Sequence, residues 1–156
     1  MFQDSTQSLN TETLLADAFA AAAEALVGSP FRHQGRLPGV AVDCGGVIVL
    51  AAAAAGIPCG DVHGYRRRPT EADIRGVLDP AFDRLPRPDS SYQPARGDIL
   101  LFDVGRDASP CHLGVYLGGL RFVHAYADLS IRRVSVALLC DYWRGMLVGV
   151  YRVKEE

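Results

Sequence analysis

The sequence predicts an α+β domain in which N-terminal helices pack on an antiparallel β-sheet. Three observations carry that expectation. The first third holds two apolar stretches of helical character, each closed by a glycine and then a proline (Gly28 and Pro30, Gly56 and Pro58). After Gly97 the apolar period changes to two, and the period-two segments follow one another through short connections, which suits an antiparallel meander. With 156 residues, 49% hydrophobic and 22% charged, the chain is one domain's worth.

Residues 1–9 are polar and are expected to be flexible, which leaves 10–156 as a single domain. Asn10 or Thr11 can cap a first helix that sets Leu14, Ala18, Ala21, Ala22, Ala25 and Leu26 at helical spacing and stops at Gly28. A loop from Phe31 to Val42 leads into Asp43-Cys44-Gly45-Gly46. The apolar run Val47 to Ala55 then reads as a buried helix ended by Gly56 and Pro58. Residues 61–95 are mostly polar and interrupted by prolines, so they read as an exposed insertion or rim, with a short helix at Thr70–Leu78. Strands are expected at Ile99–Val104, His112–Leu117, Arg121–Tyr126, Ile131–Val136 and Leu147–Val153, with one or two helical turns within Ala137 to Trp143.

Several function classes are disfavoured at once. A net charge of −2 offers no electrostatic footprint for nucleic acid, and Arg66-Arg67-Arg68, followed by Pro69, reads as a solvated loop. Met1 to Ser5 lack a basic n-region and an apolar h-region, so they do not read as a secretory signal, and synthesis and folding in a cytosol are expected. Ala18 to Val27 is too short to span a bilayer, which argues against membrane insertion. Cys44, Cys59, Cys111 and Cys140 are scattered without a Cys-x-x-Cys pair. Free thiols, no metal and no cofactor follow as expectations.

Cys44 and His112 suggest chemistry. A thiol attacks as its thiolate, and proteins favour that form at helix N-termini and beside imidazoles. Cys44 stands where Gly45-Gly46 opens the apolar helix, and those glycines let a substrate carbonyl approach the backbone closely. A cysteine in that position is more often a packing residue, so position alone assigns nothing. His112 adds weight. In His112-Leu113-Gly114-Val115-Tyr116-Leu117 the alternation places His112 with Gly114 and Tyr116, opposite Leu113, Val115 and Leu117.

His124 follows twelve residues later. A two-residue loop of Gly118-Gly119 would set Leu113 opposite His124 and part the imidazoles. A three-residue loop, Gly118-Gly119-Leu120, would set Gly114 opposite His124 and make His112 its diagonal neighbour. The hydrophobic pattern favours the second register.

The ordered segments Pro30-Phe31-Arg32-His33-Gln34-Gly35, Asp43-Cys44-Gly45-Gly46-Val47, Gly97-Asp98-Ile99, His112-Leu113-Gly114-Val115-Tyr116-Leu117-Gly118 and Val123-His124-Ala125 resemble the NlpC family of cell-wall cysteine peptidases. The resemblance implies a papain-like NlpC-type α+β domain with Cys44 as nucleophile, His112 as base and His124 as the residue that orients it. The implied substrate is a peptidoglycan stem peptide, and Phe31, Asp43, Gly45 and Gly46 are the candidate substrate-binding positions. Asp43 either orients the loop or hydrogen-bonds substrate. Phe31 and Gly45 depart from the family's usual tyrosine and serine, so a cleft hydroxyl is missing at each.

The wording from Pro30 to Arg36, with Asp61 and Tyr65-Arg66-Arg67-Arg68-Pro69, is similar to the subgroup encoded among tail genes of phages and gene transfer agents. That resemblance implies a tail-tip location in the virion and tail hub or tip proteins as partners, after synthesis in the host cytoplasm. An amidase effector directed at rival bacteria and a largely structural tail-tip plug are the competing readings.

Overall fold

The computed structural model describes residues 3–105, 111–127 and 130–155. In chain order the elements are α1 (Gln3–Glu24), β1 (Arg36–Leu37), β2 (Ala41–Val42), α2 (Cys44–Ala55), α3 (Glu71–Leu78), β3 (Phe82–Arg84), β4 (Ile99–Phe102), β5 (His112–Gly118), β6 (Arg121–Tyr126), β7 (Arg133–Leu138), α4 (Asp141–Arg144) and β8 (Leu147–Val153). Strands β1 and β2 form a small hairpin. The other six make one antiparallel sheet in the order β3-β8-β4-β5-β6-β7. Helices first and an antiparallel sheet afterwards is the α+β arrangement that the change of period predicts.

Each helix has a local cause. No glycine or proline precedes Gly28, so α1 extends back to Gln3, and the cap expected at Asn10 or Thr11 falls inside the helix. Asp43 caps α2, and Gly56 closes it with φ 74°, a left-handed conformation that glycine adopts without steric cost. Thr70 and Asp73 form a reciprocal capping box at the start of α3.

Both faces of the sheet are covered. Ile99, Leu101, Leu113, Val115, Val123 and Tyr151 face the helices, where Phe19 and Ala23 of α1 and Val47, Ile48 and Ala51 of α2 complete the main core. Alternate residues Leu100, Phe102, Tyr116, Phe122 and Val150 build a second core against Leu139, with Trp143 packed on it. The small residues of α1 and α2 allow the two helices to approach each other and the sheet closely.

Residues 61–95 differ from the expected exposed rim. Ile74, Val77, Leu78, Ala81 and Phe82 are buried in the main core, and β3 pairs with β8 at the sheet edge. Spacings of three and four residues give α3 an apolar face that the surrounding polar composition conceals. The polar stretches on either side of it do run over the surface.

At the β5–β6 hairpin, Val115 pairs with Val123 and Tyr116 with Phe122. This register sets Gly114 opposite His124, as the hydrophobic pattern predicts. The loop is reached differently. Gly118 pairs with Arg121 around Gly119-Leu120, and a bulge between Tyr116 and Gly118 restores the register. Gly119 and Leu120 both have positive φ (58° and 61°), the condition of a tight primed turn, and the Leu120 amide donates to the Tyr116 hydroxyl at 3.0 Å.

Asp98 precedes β4 and caps the turn before it, accepting from the Ala95 amide at 2.8 Å. Arg152 also grips both of its carboxylate oxygens, each at 2.8 Å. That bidentate pair ties β8 to the turn entering β4.

Candidate active site

The site is built around the start of α2. Asp43 has extended backbone (φ −105°, ψ −174°), and its Oδ1 accepts from the Gly46 amide at 2.7 Å, the bond that starts the helix. Cys44 is therefore the first helical residue, close to the positive end of the helix dipole. Burial, and after it the Asp43 carboxylate, push the Cys44 thiol up to about 12. The backbone N–H groups of Leu113 and Gly45 pull it the other way.

His112 opens β5, and its Nε2 lies 2.8 Å from Nδ1 of His124 on β6. Both residues are buried, at 4% and 3% exposure, in an aromatic surround of Phe102, Phe122, Tyr126 and Trp143. Burial, reinforced by the neighbouring His124, lowers His112 well below the usual histidine range, and burial lowers His124 to about 4. At this distance one facing nitrogen donates its proton and the other accepts it, the roles following the tautomers. With Nε2–H of His112 as donor, its Nδ1 carries a free lone pair, the form a general base requires.

Cys44 and His112 line the same open cleft, with a cavity volume of about 250 Å³. They approach it from different sides of the sheet. Cys44 packs against the main core, while the His112 ring belongs to the aromatic face. They share a cleft because His112 is the first residue of its strand. Among the described residues no hydrogen bond joins the two side chains, so the thiol–imidazole contact expected of a competent site is open here. Catalytic contacts of this kind commonly tighten only when substrate is bound.

The candidate substrate-binding residues divide. Phe31 and Gly45 border the cleft. Gly46 does not: a Cβ there would meet the Gly35 carbonyl oxygen at 2.3 Å, so this glycine serves the close packing of α2 on the preceding loop. Asp43 borders the cleft with its acceptors already engaged. Besides Gly46, it accepts from the Gln34 amide at 2.8 Å, Arg36 Nη1 at 2.8 Å and the Tyr65 hydroxyl. That favours the orienting role over direct recognition.

Cys111 also lines the cleft, and His33 stands at its rim, bonded to the Tyr65 carbonyl oxygen at 2.9 Å. Cys59 is half-buried against the main core, and Cys140 is exposed. Among the described residues no group of histidine, cysteine and acidic side chains could hold a metal ion, and no helix is long and apolar enough to cross a membrane. Arg36 and Tyr65 were noted in the sequence only as part of a motif. No periodicity marks them, and only the folded chain brings them to Asp43.

Comparison with known proteins agrees with this fold. A Staphylococcus aureus protein described as similar to a lipoprotein of the NLP/P60 family has 25% identity and a TM-score of 0.61, over 91% of this chain and 42% of its own. The peptidoglycan hydrolase RipB from Mycobacterium tuberculosis has 20% identity and a TM-score of 0.59, over 91% of this chain and 66% of its own. The NlpC/p60 domain of the peptidoglycan hydrolase SagA has 22% identity and a TM-score of 0.55, over 86% and 96%. These likenesses show a papain-like fold, and the chain spans less than half the length of the Staphylococcus aureus protein. No curated protein sequence matches it. The NlpC/P60 family model matches residues 28–152, a stretch that holds Cys44, His112 and His124, and the chain belongs to that family.

Proposed function

We propose that the chain is a cysteine peptidase that hydrolyses an amide bond in peptidoglycan stem peptides. The observation that carries the reading is the His112–His124 hydrogen bond bordering the cleft that also holds Cys44 at a helix N-terminus. His112 takes the thiol proton at Nδ1, and the sulfur attacks the scissile carbonyl to form a tetrahedral intermediate. The C–N bond then breaks, and His112 returns the proton to the leaving amine. Water, deprotonated by the same imidazole, hydrolyses the thioester and regenerates Cys44. His124 keeps the His112 ring in one tautomer and orientation throughout. RipB and SagA, described as peptidoglycan hydrolases, support the choice of substrate.

The proposal extends to place: a phage-type tail-tip component, made in the host cytoplasm and carried to the wall in the virion. The motif wording at Pro30–Arg36 and Tyr65–Pro69 supports it, as do the exposed stretches within 61–95, which are free to dock on tail hub or tip proteins. Digestion of purified peptidoglycan followed by mass spectrometry tests the activity. Wild-type protein should release stem-peptide fragments with one new amine and one new carboxylate, and Cys44→Ala should release none. Purified particles test the place. The protein should be found at the tail tip, and Cys44→Ala particles should assemble yet deliver DNA poorly through intact walls. Finding it only as free protein, or encoded beside an immunity gene, would favour the effector reading.

A further inference from the structure

The residues behind the nucleophile form a closed network. Arg36, on β1, spends its donors on Asp43 Oδ1 (2.8 Å), the Gly35 carbonyl (2.9 Å), Asp61 Oδ1 (3.1 and 3.2 Å) and the Tyr65 hydroxyl (3.0 Å). The Tyr65 hydroxyl passes its own proton toward Asp43 Oδ2. Tyr65 is itself latched to the loop before β1. Its carbonyl accepts from Gln34 Nε2 at 2.8 Å, and Gln34 Oε1 accepts from the Gly64 amide at 3.2 Å. Gln34 holds φ 59°, a conformation that a non-glycine residue keeps only when its surroundings enforce it. The connection after α2 is thereby fastened onto the loop that precedes the nucleophile.

This arrangement meets a physical difficulty. The carboxylate that caps α2 is adjacent in sequence to Cys44, where its negative charge opposes formation of a thiolate. A neutral cap would avoid the repulsion, but this chain keeps Asp43 and surrounds it with a cation and a phenol. We propose that Arg36 and Tyr65 are positioning residues for the nucleophile: acting through Asp43, they fix the helix cap and counter its charge beside Cys44. The proposal rests on Cys44 being the nucleophile. It also accounts for the open position at residue 45, where an added Cβ would lie 3.5 Å from Arg36 Nη2 and 3.7 Å from the Tyr65 oxygen. Polar atoms from elsewhere in the chain already bound that space.

Other ionisable groups line the cleft with Cys44 and must be held constant in any test. Cys111 and His112 stand at the head of β5, and Asp73 of α3, Arg67, Arg68 and Tyr126 border the same cleft. His33 lies at the rim.

The test uses the reactivity of Cys44 itself, so it stands apart from whether peptidoglycan is the substrate. Iodoacetamide alkylation of the Cys44 peptide is followed by mass spectrometry from pH 7 to pH 10 in wild type, Arg36→Gln, Arg36→Lys and Tyr65→Phe. Arg36→Gln should slow alkylation about tenfold at each pH below the thiol midpoint, the change that one pH unit of displacement produces. Tyr65→Phe should act in the same direction by a smaller factor, and Arg36→Lys should recover most of the rate. A merely structural role would lower the melting temperature and leave the pH profile of alkylation in place. Equal Cys44 profiles in wild type, Arg36→Gln and Tyr65→Phe would overturn the proposal. If Arg36→Gln does not fold, the near-isosteric Tyr65→Phe decides: a wild-type profile refutes the proposal and a slowed one supports it. Failure of the wall digest with these shifts present would refute the substrate and leave the positioning role standing.

Discussion

Nε2 of His112 and Nδ1 of His124 lie 2.8 Å apart across the β5–β6 pair, inside an aromatic enclosure that keeps both imidazoles neutral. A neutral histidine held by a second histidine is a base with one nitrogen committed and one available. The following expectations derive from that pair, from Cys44 and from the helix that presents it.

Cys44 should carry the hydrolysis alone among the four cysteines. Cys44→Ala should abolish amide cleavage with an unchanged circular dichroism spectrum, whereas Cys59→Ser and Cys140→Ser should leave it near wild type. A chelator should have no effect on the rate. Retained cleavage in Cys44→Ala would end the assignment.

The two histidines should differ in what their loss does. His112→Ala removes the base and should lower kcat by roughly 10²- to 10⁴-fold. His124→Ala leaves the base in place but free to turn, and should cost less, with His124→Asn recovering part of the loss because an amide oxygen can accept from His112 Nε2. Steady-state kinetics on a stem peptide would separate the cases. A larger loss at His124 than at His112 would reverse the roles.

Acid should destabilise the fold through the same pair. Unfolded histidines titrate near 6.5, and burial lowers His124 to about 4 in the native protein. Between those values the unfolded state binds more protons, so stability rises with pH across that window. The contribution is fully present above about pH 6.5 and is lost as pH falls toward 4. Urea midpoints taken from pH 7 to pH 4 should fall steadily, and His124→Gln should flatten part of the slope. Equal slopes in the two proteins would dismiss the buried pair as the cause.

Neighbouring glycines of α2 should respond oppositely to a methyl group. Gly46→Ala drives a Cβ to 2.3 Å from the Gly35 carbonyl oxygen and should cost about 1–3 kcal/mol or prevent folding. At Gly45 the nearest neighbours of an added Cβ lie 3.5–3.7 Å away, so Gly45→Ala should fold with near-wild-type stability. Thermal melts decide between them.

Much of this protein was legible before folding, wherever a local rule applied. The alanine-rich run closed by Gly56 and Pro58 made α2, and alternation along His112–Leu117 put His112 with Gly114 and Tyr116. A one-residue slip at β6 would have turned Val123 and Ala125 away from the core, and that penalty chose the register that brings His124 to His112. The apolar face of α3 escaped that reading, because the polar residues around it masked its three- and four-residue spacing.

What only the tertiary structure decided is the surroundings of Cys44. Gly46 looked like an opening for substrate and proved to be a packing contact, because nothing in its neighbours announces that Gly35 lies against it. Arg36, Asp61 and Tyr65 stand in loops and a two-residue strand, where no periodicity constrains a side chain; Arg36 and Tyr65 meet at Asp43, and Asp61 meets Arg36, only after β1, α2 and the following connection have closed on one another. Local periodicity determines which face a residue occupies; whether two such faces meet depends on long-range packing, which no spacing along the chain records.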